Sequence, residues 1–235
     1  MRRGTLGQMA HRSDPRLLAL HGLRLKGRAD AAAIAEGVGL PVAEVGACLQ
    51  ELAAEGLVVH RDAPIGGWSL MPPGRAEHSR LVGREVDTAG ARPAIEAAYE
   101  RFRALNPGVL DACSRWQVRD VAGTPVRNDH SDPDYDAWVV ADLVRLHRRV
   151  EPLCDDLASA LERYRPYRPR LTRAIRKVEA GERDWFTKPL MPSYHTVWFE
   201  LHEDLLTTLA LDRTAEAEPA AVQTAEEQAA GKGVP

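Results

Sequence analysis

Five consecutive polar residues, Asn128-Asp129-His130-Ser131-Asp132, put an amide, an imidazole, a hydroxyl and two carboxylates on one short stretch. Asp129 and His130 are candidate ligand-binding residues there, because histidine and carboxylates suit Zn, Mn or Ni and equally a polar organic ligand. The spacing is not that of a calcium loop, which needs acids at alternate positions, a glycine and a closing glutamate. The same residues also make good turn and cap chemistry ahead of Pro133. A second group lies in YHTVWFELHEDLL, where His195 and His202 fall on one face of a helix. With His130 or His147 they are candidates for a metal site, and as lone histidines they read equally as hydrogen-bonded packing residues. Trp198 and His202 are candidates for lining a ligand pocket. The third group, ERYRPYRPRLTRAIRKVEAGERDW, interleaves arginines with Tyr164, Tyr167 and Trp185. Arg173 is the candidate anion-binding residue within it, although such a stretch also suits a solvated face with its stems packed on aromatics. No Ser-His-Asp or Cys-His arrangement, phosphate-cradling glycine loop or HExxH motif is present, and no cofactor is expected.

The elements that must position these groups are helical. Ser13-Asp14-Pro15 starts a helix that Gly27 stops, residues 30–37 form a short Ala-rich helix, and Pro41 opens a third that ends at Gly56. Short helix, glycine-containing turn and longer helix is helix-turn-helix spacing. Two β-branched or aromatic runs follow, LVVH and WSLM, separated by DAPIGG, which reads as a hairpin. From Pro73 a further helix leads away. Beyond it, helices are expected over ARPAIEAAYERFRALNPG, stopped at Asn106-Pro107-Gly108, and over VLDACSRWQVRD. After a polar loop, one long helix runs from Pro133 to about Tyr164. A short helix in the Arg-rich stretch and a last one through YHTVWFELHEDLL complete the chain.

The phrases AIAEGVGLP, LQELAAEGLV and GGWSLMPPGR resemble MarR-type winged-helix transcriptional regulators. The positions that carry the resemblance are Leu52, Gly56, Leu57 and Val58 after the third helix, then Leu70, Met71, Gly74 and Arg75 after the hairpin. It covers about a third of the chain. It implies a winged helix-turn-helix over 14–75, binding of double-stranded operator DNA, and a homodimer. Two departures stand out: the hairpin turn lacks the wing arginine of that family, and the third helix lacks the Ser, Thr and Arg that face DNA there.

Charge sharpens that departure. Residues 1–28 hold seven basic side chains against one acid, whereas residues 29–60 hold five acids and no Lys or Arg. DNA affinity comes mainly from Lys and Arg on phosphates, and bases are read by Arg, Lys, Asn or Gln. Gln50, with Glu44 as an acceptor from cytosine, is therefore the candidate reader. Arg2, Arg3, Arg12, Arg28, Arg61, Arg75 and Arg80 are the candidate phosphate contacts.

The chain has 235 residues, a net charge of -3 and three scattered cysteines without a CxxC pair. No disulfide framework, signal peptide or membrane span is expected, and the expected location is the cytoplasm. The expected architecture is mainly α. It comprises a flexible basic arm (1–13), the winged helix (14–75), a linker helix (76–90), an all-helical effector and dimerisation domain (91–211) and a disordered tail (212–235). The function expected is a DNA-binding transcriptional regulator responsive to a small anionic or aromatic effector. Two alternatives stay open: an accessory subunit whose winged helix binds protein rather than DNA, and an enzyme using the His and aromatic residues of the helical part.

Overall fold

A computed structural model of the chain describes residues 10–62 and 66–211. Arg2 and Arg3, the tip of the hairpin turn and the tail from 212 onward lie outside the described residues.

Helix α1 (Pro15–Lys26) begins on Asp14, whose carboxylate accepts from the Arg16 amide at 2.8 Å, and ends at Gly27 with φ 71°. Asp30 caps α2 (Ala31–Val38) in the same way, through a 2.7 Å bond from the Ala33 amide. The left-handed stop is Gly39 rather than Gly37, one residue after α2 ends. Pro41 precedes α3 (Val42–Ala54). Three short strands, β1 (Arg28–Ala29), β2 (Val58–Arg61) and β3 (Gly67–Leu70), pair antiparallel in the order β1-β3-β2. The next helix, α4 (Pro72–Ala89), starts hard against this sheet: a Cβ on Gly74 would lie 2.0 Å from the Leu57 carbonyl oxygen. Only glycine permits that approach.

Further along, α5 (Arg92–Gln117) departs from expectation by running unbroken through Asn106-Pro107-Gly108. A proline inside a helix costs about 3 kcal/mol, and tertiary contacts on both sides of the site offset it. Leu105 and Val109 are buried, Trp198 Nε1 donates to Asn106 Oδ1 at 2.9 Å, and Gly108 leaves room for Leu146. The segment expected as a loop is instead a hairpin, β4 (Val118–Val121) with β5 (Thr124–Arg127). Ala122 and Gly123 form its turn with φ of 53° and 82°, the two-residue geometry that suits strand twist. Helix α6 (Pro133–Ala160) is capped by Asp132 and stops short of Tyr164. Leu161 turns extended and bridges His11, whose carbonyl accepts from the Glu162 amide at 2.9 Å. A 3-10 turn (Glu162–Tyr164), α7 (Tyr167–Glu179), α8 (Asp184–Thr187) and α9 (Tyr194–Leu209) complete the helical body. No single helix among the described residues is long and apolar enough to cross a membrane.

Two hydrophobic clusters result. The smaller joins α1–α3 to the sheet; the larger gathers α5, α6, α7 and α9 and takes in Leu17 of α1 and Val82 and Val86 of α4. Helices α1 and α4 therefore belong to both, and the segment expected as a linker is packed on two sides, with Leu81 touching each cluster.

Where the clusters meet lies a buried ionic network. The Arg163 side chain, 1% exposed, donates from Nε to Glu85 Oε2 at 2.8 Å, from Nη1 to Asp204 Oδ1 and from Nη2 to Thr208 Oγ1 at 2.6 Å. Asp204 Oδ2 accepts from the Tyr167 hydroxyl at 2.9 Å and lies 3.0 Å from His21 Nε2. His21 Nδ1 in turn sits 2.9 Å from His78 Nε2. Burial alone would raise the Asp204 carboxyl, but Arg163 and His21 override it and hold it far below the usual carboxylate range. Burial, reinforced by His21 and Arg163, pushes His78 down to about 2, so this imidazole stays neutral.

Removing one partner of a buried ion group leaves the others uncompensated, at a cost of about 3–5 kcal/mol. Arg163→Met is therefore expected to lower the unfolding free energy by about that amount in urea titration, whereas Arg168→Ala, on an exposed pair, leaves it nearly unchanged. A pH dependence follows as well. Unfolded His78 takes up its proton near 6.5 and folded His78 only near 2, while His147 and His195, also lowered by burial, act in the same direction. The unfolded state binds more protons, so stability is full above about pH 6.5 and falls with acidification. His78→Gln is expected to flatten the fall between about pH 6 and 4 by about 1.4 kcal/mol per pH unit.

Candidate functional site

The outward face of α3 carries exposed Val42, Ala43, Ala47, Gln50 and Glu51, with Glu44 half-buried. Among the sequence candidates around it, Arg28 lies on β1 opposite Ser69, Arg61 ends β2 opposite Gly67, and Arg75 and Arg80 lie on α4. Arg80 is held by Glu77 at 2.7 Å, whereas Arg61 and Arg75 are exposed and carry no ion pair among the described residues. Arg12 is exposed on the stretch that His11 pins to Leu161, against the helical body. Three further bases near the N-terminus are turned to internal use. Arg16 grips Glu55 of α3 with two bonds of 2.5 Å, while Arg24 pairs with Glu203 and Lys26 with Glu200 of α9.

In the helical body the polar stretch forms an ordered corner. Asn128, buried, donates from Nδ2 to the Trp116 carbonyl at 3.1 Å and to Asp136 Oδ1 at 2.9 Å. His130 adopts a left-handed conformation, φ 62°, that costs a non-glycine residue about 1–3 kcal/mol. Four contacts hold it there. Its amide donates to Asn128 Oδ1 at 3.2 Å, Nδ1 faces Asp136 Oδ2 at 2.9 Å, the ring lies 4.5 Å from that of Trp116, and Arg183 donates to its carbonyl at 3.2 Å. With Nδ1–H given to the carboxylate, Nε2 is the acceptor nitrogen. No serine, threonine or cysteine bonds to this ring among the described residues, so the dyad is an oriented imidazole without a nucleophile. Asp129 stays exposed and accepts from Ser131 instead. Asp132 caps α6 through the Tyr135 amide and pairs with Arg119.

Beside this corner a groove of about 740 Å³ runs along α6 towards the end of α7, with Trp116 and Asp136 in its lining. Asp136 and Trp116 were not singled out in the sequence. Both are set apart from His130 along the chain, and only the hairpin and the start of α6 bring the three together.

The remaining candidates occupy other places. Arg173 pairs with Glu36 of α2 and lies over the Trp185 ring. Trp198 and His202 are buried and both stack on Phe102. His147 meets the Tyr194 hydroxyl and Thr172, and His195 is half-buried. The four histidines thus have separate surroundings, and no group of three or more His, Cys, Asp or Glu among the described residues is placed to hold a metal ion. No protein-family model, curated protein or solved structure matches the chain.

The corner depends on Asp136, which serves Asn128 and His130 together. Asp136→Ala leaves two donors unpaired and is expected to cost about 1–3 kcal/mol in chemical denaturation. Asp129→Ala, on the exposed side of the same loop, leaves stability nearly unchanged.

Proposed function

We propose that the N-terminal unit is a winged helix-turn-helix and that the chain is a cytoplasmic, homodimeric DNA-binding transcriptional regulator. The observation that carries this reading is the sequence of elements itself. A capped short helix, a turn through Gly39, a second helix and then the β2–β3 hairpin place α3 and the hairpin on one unit with a three-stranded sheet. In helix-turn-helix proteins such a second helix lies in the major groove. Arg61 at the hairpin and Arg75 and Arg80 on α4, joined by Arg28 and by Arg2, Arg3 and Arg12 of the arm, supply phosphate contacts. Gln50 and Glu44 are the readers α3 offers. Affinity of this kind is mostly electrostatic and little dependent on base sequence. Because α1 and α4 share the ionic network with α9 and the 3-10 turn, a displacement in the helical body would carry to the DNA-binding unit. That coupling would let an effector adjust the spacing of two half-site contacts.

One observation favours a second reading. The outward face of α3 is small, apolar and acidic, which suits a protein partner better than a phosphate backbone. Anisotropy titration with duplexes from the upstream region separates the two. Counted for one protomer, seven phosphate contacts would make affinity fall about 6000-fold between 50 and 200 mM salt, and Arg61→Ala with Arg75→Ala should flatten the log–log slope by about two. Absence of binding at 50 mM salt would sink the DNA reading and leave the protein-docking one.

A further inference from the structure

The groove beside the His130 corner carries a mixed lining. One wall is apolar, with Val140 and Val144 of α6 facing Val178 of α7; the polar groups are Asp136, Glu179, Arg145, Arg148 and Arg183. Their charges are not all available to a ligand. Asp136 uses both oxygens on Asn128 and His130, and Arg145 is held by Asp142. Arg148 is exposed with no ion pair among the described residues, and Arg183 bonds only a backbone carbonyl, that of His130. Arg148 and Arg183 are therefore the lining guanidinium groups without a carboxylate partner among the described residues. They stand beside an apolar wall in a groove of about 740 Å³, the size of small-ligand sites, with Glu179 and Asp136 as the opposing charges.

This lining is also held rigid in advance. His130 touches three of its members: the ring packs on Trp116, Nδ1 faces Asp136, and the carbonyl receives Arg183. A residue fixed in a left-handed conformation by four separate contacts, three of them to one groove, is the pattern by which backbone strain accompanies a preorganised site.

We propose that this groove binds a small organic monocarboxylate with an apolar body, its carboxylate on Arg148 and its body on Val140, Val144 and Val178. As a binding site the groove stands apart from the DNA reading. As the place where an effector acts, it rests on that reading.

The test is isothermal calorimetry on the full chain without DNA, so its failure is distinct from a failure to bind DNA. The probes are phenylacetate, its neutral amide phenylacetamide, and acetate. Phenylacetate is expected to bind with the other two weaker by about tenfold or more, since a charge-assisted hydrogen bond and a buried ring each contribute more than one factor of ten. Arg148→Gln should weaken phenylacetate about tenfold, and Glu179→Gln should tighten it. Ala141→Trp, at an exposed lining position, fills the groove and should abolish binding while the circular dichroism spectrum stays unchanged. Equal affinity for acid and amide, indifference to Arg148→Gln or Ala141→Trp, or no phenylacetate binding up to about 10 mM would each overturn the proposal.

Discussion

A guanidinium shut away from water between two carboxylates is the constraint on which the rest of the architecture depends. Arg163 must find Glu85 on α4 and Asp204 on α9 at once, and Asp204 must also meet His21 of α1 and Tyr167 of α7. Each charge costs several kcal/mol to dehydrate, and the cost is recovered only when every partner is in place. Five elements from both hydrophobic clusters are thereby locked to one relative arrangement. Apolar surface alone would tolerate sliding; directional bonds at this junction do not.

The same junction explains where the basic side chains of α1 went. Arg24 and Lys26 point towards α9 and find Glu203 and Glu200, with Arg170 of α7 completing the second carboxylate. A count of charges along the chain registers these residues as a basic surface. In the folded protein they pair across the α1–α9 seam, Lys26 largely covered and Arg24 still partly exposed. The histidines divide in the same manner. His21 and His78 are committed to the network and His202 to an aromatic stack, while His130 orders the polar corner through Asp136 and Trp116.

Helix starts were readable from sequence wherever local residues decide them: Asp14-Pro15, Asp30 and Asp132-Pro133 all cap as side-chain chemistry requires. Pro107 was misleading because its penalty is local and its compensation, through Trp198 and Leu146, is distant. Strand β1 has two residues, too few for a period, and the β4–β5 hairpin has exposed Val121 and Val126 in place of an apolar face, so neither leaves an alternating pattern. At the candidate site the polar corner was visible as a cluster, but Asp136 and Trp116 were hidden. One reads as a helix acid and the other as a core aromatic until the hairpin folds them together. The ionic network was wholly hidden, since Arg163 and Glu85 stand 78 residues apart and each is an ordinary charged residue in its own segment.

That long-range pairing also changes the meaning of the acids around α3. Glu36 is bound by Arg173 of α7, Glu55 by Arg16 of α1, and Asp30 caps α2, so three of the five acids between 29 and 60 have structural partners. Burial would raise the Glu36 carboxyl, but its bond to Arg173 prevails and holds it below the usual range, as Arg16 does for Glu55. The negative field in front of α3 is then that of Glu44 and Glu51, not of all five. Two of the five acids are counterparts of arginines elsewhere in the fold, Glu55 within the N-terminal unit and Glu36 across to α7 of the helical body. Under the proposed DNA reading, the absence of bases on α3 limits what the helix can read, and contact with a phosphate backbone would fall to the arginines that flank it.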